Sequence, residues 1–107
     1  MKIILVSYSG SSASILKDRM LAWAAANMME TEIVISSLAG LEEGAEDADI
    51  VLVGPQVRCA LASVREWVPV KVPVLAVDTR DFGMAKGDRV MQEAIAEIRR
   101  YKEQLMI

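Results

Sequence analysis

The chain has 107 residues, enough for one domain and too few for two. Apolar residues make up 53% of it, which suffices for a core covered on both sides, so its stability requires neither a metal nor a disulfide. The net charge of -3 argues against nucleic acid as the main partner, because phosphate backbones are bound by dense Lys and Arg surfaces.

The charge is unevenly spread: residues 1–54 hold 3 basic and 8 acidic side chains, residues 55–107 hold 9 and 7. The single cysteine, Cys59, cannot close an internal disulfide, which points to a reducing cytosol. Nothing resembles a signal peptide or the ~20 apolar residues of a membrane span. Histidine is absent, which excludes Ser-His-Asp catalysis, Cys-His catalysis and His-based metal sites.

In chain order, Ile3–Val6 is a short apolar run of the kind that forms a buried parallel strand. After it come Ser7, Tyr8, Ser9, Gly10, Ser11, Ser12, Ala13 and Ser14, five serines and one glycine in eight residues, and then a helical pattern with Leu16, Met20, Ala24 and Met28 at spacings of four. A loop of small residues leading into a helix N-terminus presents N–H groups and the positive end of a helix dipole, so a phosphate dianion is the best-fitting occupant. The same residues also suit a plain helix start capped by Ser12 or Ser14. A second strand is expected at Ile33–Ile35. The segment Ser37–Glu46 supports a short helix or an irregular crossover, and Glu42, Glu43, Glu46, Asp47 and Asp49 read as a solvated stretch before the third strand, Ile50–Val53. Val57, Leu61, Val64 and Val68 mark a further helix, with Cys59 inside its apolar pattern as a small hydrophobe. Val72–Val77 is the fourth strand, Asp78–Gly87 a loop, and Met91, Ala94, Ile98, Tyr101 and Leu105 the stripe of a closing helix that starts at Gly87-Asp88. Met20, Met28, Met29, Met84 and Met91 read as filler for core and rim.

Strands alternating with helices predict an α/β domain over residues 1–107: an open four-stranded parallel sheet, spatial order 2-1-3-4, with helices on both faces. Ligands bind beyond the carboxyl ends of such strands where the strand order reverses, here between the first and third. That gathers Ser7–Ser14, Gly54–Arg58 and Asp78–Gly87. Gln56 and Arg58 stand at the rim, Arg58 either approaching the phosphate or a partner, or simply solvated. Arg80 and Lys86 share that ambiguity; Tyr8 borders the site, and Phe82 either borders it or packs on the sheet edge.

The stretch from Ile3 to Leu16 resembles the start of the lactose/cellobiose-type IIB components of the sugar phosphotransferase system, whose loop reads Cys-x-x-Gly-Met-Ser-Thr-Ser before two aliphatic residues. Gly10, Ser12, Ser14, Ile15 and Leu16 match that pattern. Val51–Val57, with its Gly54-Pro55-Gln56 turn, and Val77–Gly83, with Gly87 and Val90 beyond, are similar to the family's third and fourth strand exits. The resemblance implies a cytoplasmic phosphoryl carrier. Such a carrier takes the group from a phosphohistidine of a IIA protein, holds it as a cysteine thiophosphate, and passes it to a sugar of the β-disaccharide class on the membrane component IIC, with no cofactor. The phosphorylated cysteine falls on Ser7, and the phosphate-binding loop on Tyr8 through Ser14. Serine is a far weaker acid than cysteine, so Ser7 marks either an introduced Cys→Ser replacement or a diverged, transfer-deficient homologue.

Three other functions compete. Low-molecular-weight tyrosine phosphatases and arsenate reductases need Cys-x5-Arg, where this chain has Ser7 and Ala13. A flavodoxin-like FMN module would share the run Ser7-x-Ser9-Gly10-x-Ser12, but needs a fifth strand and aromatic loops. A non-catalytic regulatory domain would keep the fold without the transfer chemistry.

Overall fold

The computed structural model describes residues 1–8 and 10–106, the side chains of Glu42 and Glu43 excepted. Four strands form one parallel sheet in the order β2-β1-β3-β4: β1 (Lys2–Val6), β2 (Glu32–Ser36), β3 (Ile50–Val53) and β4 (Val74–Ala76). In register, Val6 lies between Ser36 and Val53, and Val53 pairs with Ala76. The central strands are apolar at nearly every position because both faces are covered, whereas the edge strand β2 alternates.

Side-chain alternation divides the core in two. Ile3, Leu5, Ile50 and Leu52 point to the face covered by α1 (Gly10–Ala26) and α5 (Gly87–Leu105), where they meet Leu16, Met20, Ala24, Met91 and Ala94. Ile4, Val6, Val51 and Val53 point to the other face, where they meet Leu41 of α2 (Leu41–Gly44) and Val57 and Val64 from the next helical segment. The fold class and strand order expected from the sequence are those observed.

Five local expectations are corrected. The helix read from Val57 to Val68 opens instead as a 3-10 helix, Pro55–Ala60, and only then continues as α3 (Leu61–Trp67). Proline at its first position and three residues per turn bury Val57 and turn Arg58 and Cys59 outward. Cys59 is therefore exposed and does not act as a small core hydrophobe. The Asp78–Gly87 loop contains a one-turn helix, α4 (Thr79–Gly83), and the fourth strand is shorter than its apolar run because Pro73 precedes it. The Leu16-Met20-Ala24 stripe is buried, but Met28 and Met84 are 94% and 52% exposed and fill no core.

Met28 has φ 56° and ends α1 in a Schellman motif: its N–H donates to the Ala25 carbonyl and that of Met29 to Ala24, at 3.1 and 2.9 Å. Ala85, at φ 50°, ends α4 the same way, with Ala85 donating to Phe82 at 3.1 Å and Lys86 to Asp81 at 2.9 Å. The turn delivers the chain to Gly87, where α5 meets α1 backbone to backbone. A Cβ there would stand 2.5 Å from both the Arg19 carbonyl carbon and the Met20 nitrogen.

The acidic stretch before β3 is tied to the sheet. The Lys2 backbone N–H donates to Asp49 Oδ2 at 2.7 Å, and Lys2 Nζ to Asp47 Oδ1 at 2.8 Å. That side-chain hydrogen bond raises the Lys2 ammonium above its usual range and holds the Asp47 carboxyl below its own. As a pair at the surface it contributes little to stability.

The Gly87 contact is testable. Gly87→Ala must separate two helix backbones, and we expect a loss of about 2–4 kcal/mol in urea unfolding. A loss under 0.5 kcal/mol would show that α1 and α5 do not approach this closely.

Candidate phosphoryl-transfer site

The site sits at the carboxyl edge of the sheet, between β1 and β3, where chain connections leave to opposite faces. The Gly54 N–H donates to the Val6 carbonyl at 2.9 Å, and the Ser7 N–H donates to the Ser36 carbonyl at 3.1 Å. Ser7 thus continues the β1–β2 ladder by one residue. It is 6% exposed and, among the described residues, is buried as a polar residue along with Asp81.

The helix begins at Gly10, not after Ser14. Ser12 and Ser14 therefore lie two and four residues inside α1 and neither caps it. Ser11, Ser12 and Ser14 are exposed on its first turns, while Ala13 is fully buried against the core. Tyr8 is 67% exposed; Ser9 lies outside the described residues. The helix start is what brings N–H groups and dipole to the rim next to Ser7, because the first turn of any helix has donors that no carbonyl of its own helix accepts.

The third-strand exit forms the next wall. A Cβ on Gly54 would stand 3.1 Å from the Val6 carbonyl oxygen, 3.1 Å from Gln56 Oε1 and 3.4 Å from Phe82 Cε2. The Gln56 amide therefore folds back over Gly54 toward the end of β1, and Phe82 packs in the core beneath, 3% exposed. Arg58 reaches the other way, Nη2 donating to the Val77 carbonyl at 3.2 Å.

The fourth-strand exit was the part least visible in the sequence. Asp78 caps α4, its Oδ2 accepting from the Arg80 and Asp81 N–H groups at 3.1 Å each. The signal was present as an aspartate followed three residues later by another acid, at capping-box spacing. Asp81 is buried, and its Oδ1 accepts from Arg89 Nε at 3.0 Å. A cavity of about 330 Å³ there is lined by Asp78, Arg80, Asp81, Lys86, Arg89 and Glu93, so its three bases face three acids. Another cavity, about 510 Å³, lies at the opposite edge between Arg65 and Tyr101, far from the β1 exit. We place the chemistry at the carboxyl rim because the oriented N–H groups are there. Among the described residues, no group of three His, Cys, Asp or Glu side chains could hold a metal ion.

Residues 2–93 match the model of the family described as PTS system, lactose/cellobiose specific IIB subunit. The chain is 32% identical over 98 residues to the galactose-specific EIIB component of Lactococcus lactis subsp. cremoris, covering 86% of this chain and 91% of the relative. The figures are the same for the cellobiose-specific EIIB component of Lactococcus lactis subsp. lactis. Among solved structures, the cellobiose-specific IIB component of Borrelia burgdorferi superposes with a TM-score of 0.79 at 29% identity, over 94% of each chain.

Asp78→Ala removes the α4 cap, and we expect about 1 kcal/mol of destabilisation in thermal unfolding. An unchanged melting temperature would show that the cap does not hold this wall.

The family model over residues 2–93 and relatives 32% identical over most of both chains lead to one assignment: the chain belongs to the lactose/cellobiose-specific IIB family, the sugar-specific phosphoryl carriers of the phosphotransferase system.

Proposed function

We propose that residues 1–107 act as one cytoplasmic domain whose Ser7–Ser14 segment holds the phosphoryl group on its way from a IIA phosphohistidine to a sugar on the membrane component IIC. The observation that carries this reading is the start of α1 at Gly10, three residues past a position fixed in the ladder by the Ser7 N–H bond to Ser36. Donors preorganised around the oxygens of a transferring phosphoryl group stabilise its charge, and the remaining task is in-line positioning. Tyr8 and Ile15, 67% and 53% exposed, flank the segment with apolar surface that a docked partner would cover. Among the described residues no helix is long and apolar enough to cross a membrane, consistent with a carrier that visits a membrane component without entering it.

With cysteine at position 7, a thiolate attacks the phosphorus of the donor; the S–P bond forms as the N–P bond breaks, and the leaving imidazole takes up a proton. The hydroxyl of Ser7 has no comparable anionic form at neutral pH, and the chain has no histidine to act as its base. We therefore read this form as one that binds phosphate better than it transfers it. The β-disaccharide class rests on the family reading alone, because relatives named for galactose, a monosaccharide, and for cellobiose are equally similar and single out no one sugar.

The test is phosphorylation by phosphoenolpyruvate, the general carriers and the cognate IIA, followed by mass spectrometry. Ser7→Cys should gain one phosphoryl group while the Ser7 form gains less than about one hundredth as much. A Ser7→Cys protein left unlabelled by a relay that phosphorylates its own IIA would refute the assignment of position 7.

A further inference from the structure

The rim carries one cation that the transfer chemistry above leaves unused. Arg58 is exposed, four residues beyond Gly54 on the 3-10 helix. The carbonyl it holds belongs to Val77, whose own N–H donates to the Val53 carbonyl at 2.9 Å. Its guanidinium thus lies across the carboxyl end of β4, level with the Gly54–Val6 bond.

The other bases at this edge are accompanied. Arg80, Lys86 and Arg89 share their cavity with Asp78, Asp81 and Glu93, and Arg89 is paired to Asp81. Among the described residues no carboxylate pairs with Arg58, whose side chain makes one bond, to an uncharged carbonyl. A guanidinium has five donors in a planar fork. Arg58 is held in place without being neutralised.

The topology gives it a second position. The 3-10 helix grows from β3, which lies between β4 and β1, so Arg58 is rooted between the Val77 carbonyl and Ser7. Each is one strand spacing, about 4.8 Å, from β3.

We propose that Arg58 is a phosphate-binding residue, its guanidinium exchanging the Val77 carbonyl for two oxygens of a phosphate held above Ser7. The proposal rests on the reading of Ser7–Ser14 as the phosphate segment and adds to it a side chain that supplies full positive charge. A bidentate grip favours a bound dianion, which suits a chain whose nucleophile is too weak to pass the group on.

The experiment is titration of the protein with inorganic phosphate, followed by backbone amide NMR at low salt, for the parent chain, Arg58→Ala and Arg58→Lys. Arg58→Ala should weaken binding about tenfold with its melting temperature within about 2 °C of the parent. Arg58→Lys should fall between the two, because an ammonium restores charge without the fork. Phosphate binding by the parent that is unchanged in Arg58→Ala would overturn the role of Arg58 alone. No binding by the parent would overturn the phosphate segment, and this inference with it.

Discussion

The bond from the Gly54 N–H to the Val6 carbonyl is the constraint on which the rim depends. It keeps β3 bonded to β1 up to the last residue of the strand, while on the other side the Ser7 N–H holds the Ser36 carbonyl of β2's end. Position 7 is therefore pinned from both sides, and the chain can only rise out of the sheet into α1. The approach is close: a side chain on Gly54 would press on the Val6 carbonyl and on the Gln56 amide, each 3.1 Å away, with Phe82 behind. The floor of the rim, position 7 and the third-strand wall follow from one backbone contact.

A second contact sets the height of α1 above that floor. Gly87 lets the first turn of α5 rest on the α1 backbone at Arg19 and Met20, and Ala85 in the left-handed region aims the chain at that point. Alanine in that conformation costs about 1 kcal/mol, which the Schellman bonds and the buried helix interface offset. Arg19 adds Nη1 to the Ala85 carbonyl at 3.4 Å, so α1, α4 and α5 are joined at the turn beside the site. The N-terminus of α1 is in this way held by elements far from it in sequence.

What could be read from residues alone follows from how much each element depends on its neighbours. Ile3–Val6 and Ile50–Val53 are buried on both faces, so their composition declares them. The helix stripe at Leu16, Met20 and Ala24 was equally legible, whereas the apolar run Ile33–Ile35 gave the second strand but not its edge position, which leaves Val34 37% exposed. Short elements were not: Thr79-Arg80-Asp81-Phe82-Gly83 is a single turn that owes its form to the Asp78 cap, and no periodicity shows in five residues. The outward turn of Cys59 needed the 3-10 pitch, which a helical spacing of four conceals. Near the β1 exit, the start of α1 was read after Ser14, five residues late, because serines that favour caps also tolerate a first turn.

The account makes position 7 a place that favours negative charge whatever atom stands there. Burial at 6% exposure acts against that, since an apolar setting raises the pKa of a thiol, whereas a helix N-terminus lowers it. The two effects have opposite signs, so one number decides between them: the pH midpoint of iodoacetamide reactivity in the Ser7→Cys, Cys59→Ser protein. A midpoint at least about one unit below the ~8.5 of a free thiol is expected if the α1 terminus stabilises charge there. A midpoint at or above that value would mean that burial dominates and that the α1 terminus does not stabilise charge at position 7, contradicting the central claim.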